Sequence, residues 1–195
     1  MNRPTRGRPS SRSLLLRVAC ELLREEGPSA VTAREVARRS GVAEATVFNN
    51  FGDLRGLLIA VSRQGFPEYE SLIACIKGGP KAGVVDWLAE VIELNRRYML
   101  AALPLAMHQM VTSSSEKTRE DRLVTLTHKA LCSQLESLRE SGQIKKDVDI
   151  SAAAMLLVAG GAHAALTEFT TGIKSVLNED PGEMARRLVS QLRLV

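Results

Sequence analysis

Residues 32–51 read TAREVARRSGVAEATVFNNF, and no other stretch constrains the fold of this chain so tightly. The spacing predicts a short helix, a glycine turn and a second short helix. Thr32 and Glu35 have the pattern of a capping box, in which the hydroxyl accepts from a first-turn amide and the carboxylate reaches back to the N–H of Thr32. Gly41 falls where the first of these helices must stop in a left-handed conformation, which a residue without a Cβ adopts at little cost. Val42, Val47 and Phe51 then recur at helical spacing and turn one face inward. The face away from Val47 carries Ala45, Thr46, Phe48 and Asn49, with Glu44 and Asn50 at its edges. Short polar side chains on an exposed helix beside a tight turn suit insertion into a DNA major groove. The alternative for this window alone is an ordinary helical hairpin.

Charge concentrates at the same end. Residues 1–60 hold ten arginines and six acids, whereas residues 61–195 balance at 16 against 16. Arg3, Arg6, Arg8 and Arg12 form an arm without an acid. Its Pro4, Gly7, Pro9 and Ser10 disfavour helix. Such an arm can follow phosphates or enter a neighbouring minor groove; the alternative is a solubilising terminus. No lysine precedes Lys77, and the planar fork of arginine suits phosphate and guanine edges.

Alternating β-branched patterns never persist, so the chain is expected to be all-α. Its 195 residues suffice for a substantial core. Cys20, Cys75 and Cys132 are far apart and odd in number. They match neither a metal spacing nor a disulfide framework, as expected in a reducing cytoplasm. The apolar run at Leu14–Leu16 is cut by Arg17, too soon for a signal sequence. The most apolar stretch, 152–166, is interrupted by His163 and is shorter than the roughly 20 residues of a membrane span. No membrane association, metal or cofactor is expected.

About nine helices are predicted. The first covers 11–26 and is stopped by Gly27-Pro28. After the helix-turn-helix, Gly52-Asp53 recaps the chain for a connecting helix through Leu58 and Val61, ended or bent at Gly65–Pro67. Residues 69–76 continue it, and Gly78-Gly79-Pro80 is a linker. A helix over 84–103 is followed by another opened by Pro104 and reaching 111. Ser113–Ser115 is a loop. The next helix runs to Gly142, Asp149 caps one ending near Gly172, and Pro181 opens the last. The domains are expected as a basic arm (1–9), a helix-turn-helix domain (10–65) and a helical domain (66–195).

From Thr32 through Gly41-Val42 to Thr46-Val47-Phe48 and Phe51, the chain resembles the tetracycline-repressor (TetR) family of transcriptional regulators. In architecture the resemblance extends over the whole chain, with a three-helix reader, a connecting helix and an all-helical C-terminal ligand-binding and dimerisation domain. It implies a homodimer on an operator with two-fold symmetry and a pocket whose occupation releases DNA. Four positions depart from the family pattern. Ala45 stands where glycine precedes the phosphate-gripping threonine (here Thr46), Phe48 where tyrosine is usual, Asn50 where histidine is common, and Leu54 where lysine is common. Each lost charge-assisted phosphate contact is worth about 1–3 kcal/mol.

The residues expected at DNA are therefore Arg3, Arg6, Arg8, Thr32, Arg34, Glu44, Ala45, Thr46, Phe48, Asn49 and Asn50. Asn49 and Asn50 are candidates for adenine, Glu44 for a cytosine N4 and Arg34 for phosphate or guanine. Arg38 is either a further contact or part of a solvated face. In the C-terminal domain Asn95, Tyr98, His108, His128 and His163 are the candidates for ligand binding. Each histidine on an apolar line is alternatively a core residue. Gly160-Gly161-Ala162 permits close backbone approach. The last two helices are expected to pair with their symmetry mates, with Leu156, Leu157, Leu166, Leu188 and Leu192 as candidate contacts.

The expected function is a ligand-responsive repressor, bound to a palindromic operator as a homodimer and released by an unknown small-molecule effector. The alternative is a structural or constitutive DNA-binding regulator without a ligand. A helical enzyme is disfavoured, because no motif sets a nucleophile beside a base.

Overall fold

The computed structural model describes residues 11–64, 66–112, 123–174 and 180–191. The arm with Arg3, Arg6 and Arg8, the serine loop and Leu192 lie outside the described residues. Among those described, the chain is helical without a strand: α1 (Ser11–Glu26), a 3-10 turn (Pro28–Ala30), α2 (Ala33–Ser40), α3 (Glu44–Phe51), α4 (Leu54–Gln64), α5 (Pro67–Gly78), α6 (Val84–Thr112), α7 (Leu123–Glu140), α8 (Ile150–Thr171) and α9 (Pro181–Gln191). The all-α expectation is met.

Two compact units emerge. The first joins residues 11–64 to the Pro104–Thr112 end of α6. In it α1 packs against α2, α3 and α4, while α3 packs on α2 and α4. Leu15, Leu22, Val36, Val47, Leu57 and Val61 are fully buried there, each contributing about 1.5–3 kcal/mol by leaving water. Cys20 is part of the same core, and burial pushes its thiol up to about 11, as suits a small hydrophobe.

In the second unit α7 packs against α5 and α8, and α8 against α9. Asp149 caps α8 through its Oδ1, which accepts from the Ala152 amide at 3.0 Å. Gly142, at φ 76°, closes α7, with the Gln143 amide donating to the Leu138 carbonyl at 2.9 Å. Asn95 is buried and donates from Nδ2 to the Val158 carbonyl at 2.8 Å, tying α6 to α8. Gly161 permits this approach. A Cβ there would lie 2.7 Å from both the Ile92 carbonyl oxygen and the Asn95 amide nitrogen.

Three expectations are corrected. Pro104 does not open a new helix but sits inside α6, which runs unbroken over 29 residues. Proline removes one donor from a helix, and burial of Ala102 and Leu105 on either side carries the helix through. α8 spans 22 residues, so it is long and apolar enough to cross a membrane. Its Ala153, Ala154, Leu157, Val158, Ala164 and Ala165 are buried, which makes it a core helix of this unit. Leu157 therefore faces its own core and is not a candidate contact for a second copy.

Candidate nucleic-acid interface

The geometry of the reader follows from its caps. The Thr32 Oγ1 accepts from the Glu35 amide at 3.1 Å and starts α2. The reciprocal half of the expected capping box does not form. The Thr32 amide donates to the Ala30 carbonyl at 2.9 Å, and the Glu35 carboxylate turns to Arg38 and Arg39. Charge-assisted bonds to two guanidinium groups outcompete one to a neutral amide. Hydrogen bonding from Arg38 accordingly holds Glu35 at about 2 against an ordinary 4.5, even though desolvation opposes the shift. Gly41, at φ 68° and ψ 30°, ends α2, and the Val42 amide donates to the Ala37 carbonyl at 3.1 Å. This double closure fixes the turn into α3.

Arg39, which the sequence reading leaves unassigned, is a clamp. It binds Glu25 at 2.9 Å, Glu35 at 3.1 Å, and also Glu26, tying the end of α1 to α2. Arg38 is paired with Glu35. Arg34 is exposed and, among the described residues, makes no ion pair, leaving its guanidinium for an external partner. Arg12 stacks over the Phe51 ring, 5.0 Å from its centroid, where the chain enters α1.

In α3, Val47 is fully buried and Glu44, Ala45, Phe48 and Asn49 are exposed in one stripe; Thr46 and Asn50 are half-buried. Phe48 is 41% exposed and Leu54 is 37% exposed, both unusual for large apolar side chains. Asn50 is not equivalent to Asn49, because its Nδ2 donates to the Thr46 carbonyl of its own helix at 2.7 Å. The angle between α3 and α4 depends on Gly56. The Asp53 Oδ1 accepts from the Gly56 amide at 2.6 Å, and a Cβ on Gly56 would fall 1.9 Å from the Phe51 carbonyl oxygen. The spacing of Asp53 and Gly56 signals a helix start, but not this steric need.

The five expected ligand residues have different surroundings. His108 is half-buried and belongs with the first unit. His163 is exposed on the outer face of α8, which corrects the expectation that it points inward. His128 lies half-buried between α7 and α8, its Nε2 3.4 Å from the Cys132 Sγ and 3.5 Å from the Ser151 Oγ. Asn95 is engaged with Val158. Tyr98 is buried against Phe66 and Tyr69, with ring centroids 6.1 and 5.1 Å away, and desolvation raises its hydroxyl pKa. A shallow cleft of about 180 Å³ near Cys75, Lys81, Trp87 and Glu90 includes none of the five. Sequence reasoning missed Thr127, which is 1% exposed and whose hydroxyl has no hydrogen-bond partner among the described residues. Among the described residues no three His, Cys, Asp or Glu side chains gather as metal ligands.

The profile described as bacterial regulatory proteins, tetR family, matches residues 15–61, the whole span from α1 into α4. Residues 15–61 are a TetR-family DNA-binding domain. The chain has the fold of several solved structures across nearly its full length. Salmonella enterica GusR superposes with a TM-score of 0.68 at 18% identity, covering 98% of this chain and 99% of the other. The transcriptional regulator FadR from Bacillus subtilis, solved in complex with stearoyl-CoA, gives 0.65 at 20% identity, covering 93% and 97%. A TetR-family transcriptional regulator from Pectobacterium atrosepticum gives 0.64 at 17% identity, covering 95% and 94%. No curated protein matches the chain in sequence. At these identities the likeness establishes the fold alone.

Proposed function

We propose that this TetR-family chain is a ligand-responsive repressor that binds a palindromic operator as a homodimer and is released by a small molecule. The observation that carries the proposal is the α3 stripe. Glu44, Ala45, Phe48 and Asn49 face outward from a helix whose opposite side is anchored by fully buried Val47. A rigid helix with a protruding polar and apolar edge is what a major groove admits. Thr32 supports the docking: its hydroxyl accepts at the cap and keeps a proton to donate to a phosphate, beside exposed Arg34. Residues 1–9, with Arg3, Arg6 and Arg8, would add phosphate contacts, residues 10–65 would read, and residues 66–195 would bind effector and dimerise.

Dimerisation rests on the outer face of α8. Met155, Leu156, Leu166 and Phe169 are exposed there, and Ile173 follows just beyond the helix. A second copy would cover them and hold two readers about 34–36 Å apart, one turn of the duplex. Effector binding draws support from Thr127. A buried hydroxyl without a partner loses about 1–3 kcal/mol, which a polar group of a bound molecule would recover. The FadR neighbour, solved with stearoyl-CoA, and the few aromatic residues of the second unit both favour an aliphatic effector. The protein would act in the cytoplasm, where its DNA is.

The test is to offer the purified full-length protein a pool of randomised duplexes. Retention of an inverted repeat by a dimer is the expected result, and indifference to every duplex refutes the proposal. A thermal-shift screen then identifies molecules that stabilise the protein. At least one of them must also release the selected duplex, or the ligand-responsive part fails.

A further inference from the structure

The outward stripe of α3 is short of hydrogen-bond donors, which restricts what it can read. Guanine presents two acceptors, O6 and N7, to the major groove, and reading it takes a side chain with two donors, typically arginine or lysine. Helix α3, EATVFNNF, contains neither. The exposed Glu44 carboxylate is an acceptor only, Ala45 and Phe48 offer no polar atom, and Asn50 is tied back to the Thr46 carbonyl. Asn49 is therefore the one exposed side-chain donor in the stripe, and its paired donor and acceptor match adenine N7 and N6.

Beside it lie the two apolar members. Ala45 and Phe48 are three residues apart, hence neighbours on one helix face, and Phe48 is 41% exposed although it is the largest side chain there. The major-groove feature that an apolar contact recognises is the thymine C5-methyl group. Asn49 on adenine and Phe48 on a thymine methyl would together read A·T pairs.

Resting on the reading of α3 as the major-groove helix, we propose that Ala45 and Phe48 are specificity-determining residues that pack against thymine methyl groups. The half-site under α3 is then A·T-rich, with any guanine contact falling to Arg34 outside α3.

The experiment uses the full-length protein and the duplex it selects from a randomised pool. Each thymine is replaced in turn by deoxyuridine, which keeps every hydrogen bond and removes only the methyl. At one or two positions per half-site, binding should weaken about fourfold per methyl, the size expected for one buried carbon. The penalty should vanish for Phe48→Ala. Should that variant retain no duplex, Phe48→Leu should show a reduced penalty. Equal binding of every deoxyuridine duplex by the wild type, or an unchanged penalty in the Phe48 variants, overturns the inference while leaving DNA reading intact. A selected half-site of G·C pairs alone does the same. Retention of no duplex at all overturns the DNA reading and this inference with it.

Discussion

Single side chains in the reader have separable tasks. Thr32 works as a cap, so Thr32→Ala should lower stability by about 1 kcal/mol in a urea melt, apart from any loss at DNA. Glu35 is held near 2 first by its hydrogen bond from Arg38, then by Arg39, against an ordinary 4.5. A depressed carboxylate stabilises the fold above its ordinary range and loses that contribution as pH falls through the folded value. Acid unfolding between about pH 4.5 and 2 should therefore be shallower in Glu35→Gln than in the wild type, followed by circular dichroism. If the two curves are parallel, the ion pairs with Arg38 and Arg39 contribute nothing in solution.

Elements were legible from sequence where the rules act over a few residues. The caps at Thr32 and Asp149, the glycine ends at Gly41, Gly142 and Gly172, and the period of Val42, Val47 and Phe51 all operate within a turn or two. Contacts between elements were not legible in this way. The three carboxylates around Arg39 come from two helices, and the lone hydroxyl of Thr127 becomes conspicuous only once α7 is packed. Pro104 misled because a local breaker was overridden by burial of its neighbours. Gly56 is the sharpest case. Gly56→Ala must open the turn between α3 and α4, since its new carbon has no room beside the Phe51 carbonyl. We expect a loss of about 1–3 kcal/mol in a thermal melt, with weaker duplex binding. Gly78→Ala at the end of α5, where nothing lies within 4 Å, serves as the control and should change little.

At the scale of the whole molecule, two features of α8 differ in kind. Facing inward, Arg96 bridges Glu93 and Glu168, all three with side chains less than one-fifth exposed. Arg96→Met would strand Glu168, while Glu93 keeps Arg97, and should cost about 2–4 kcal/mol in a urea titration. Facing outward, Leu166 stands in the uncovered stripe. Leu166→Glu should leave the fold intact and convert a dimer into a monomer by sedimentation. An unchanged mass would move the interface elsewhere.

The bare side of α8 also has a thermodynamic corollary. In the proposed dimer, water in contact with five large apolar side chains would be expelled as copies meet, and mass action would then enter the folding equilibrium itself. Dilution should lower the melting temperature, and abundance in the cell would then set how much of the protein survives as well as how much of the promoter it occupies.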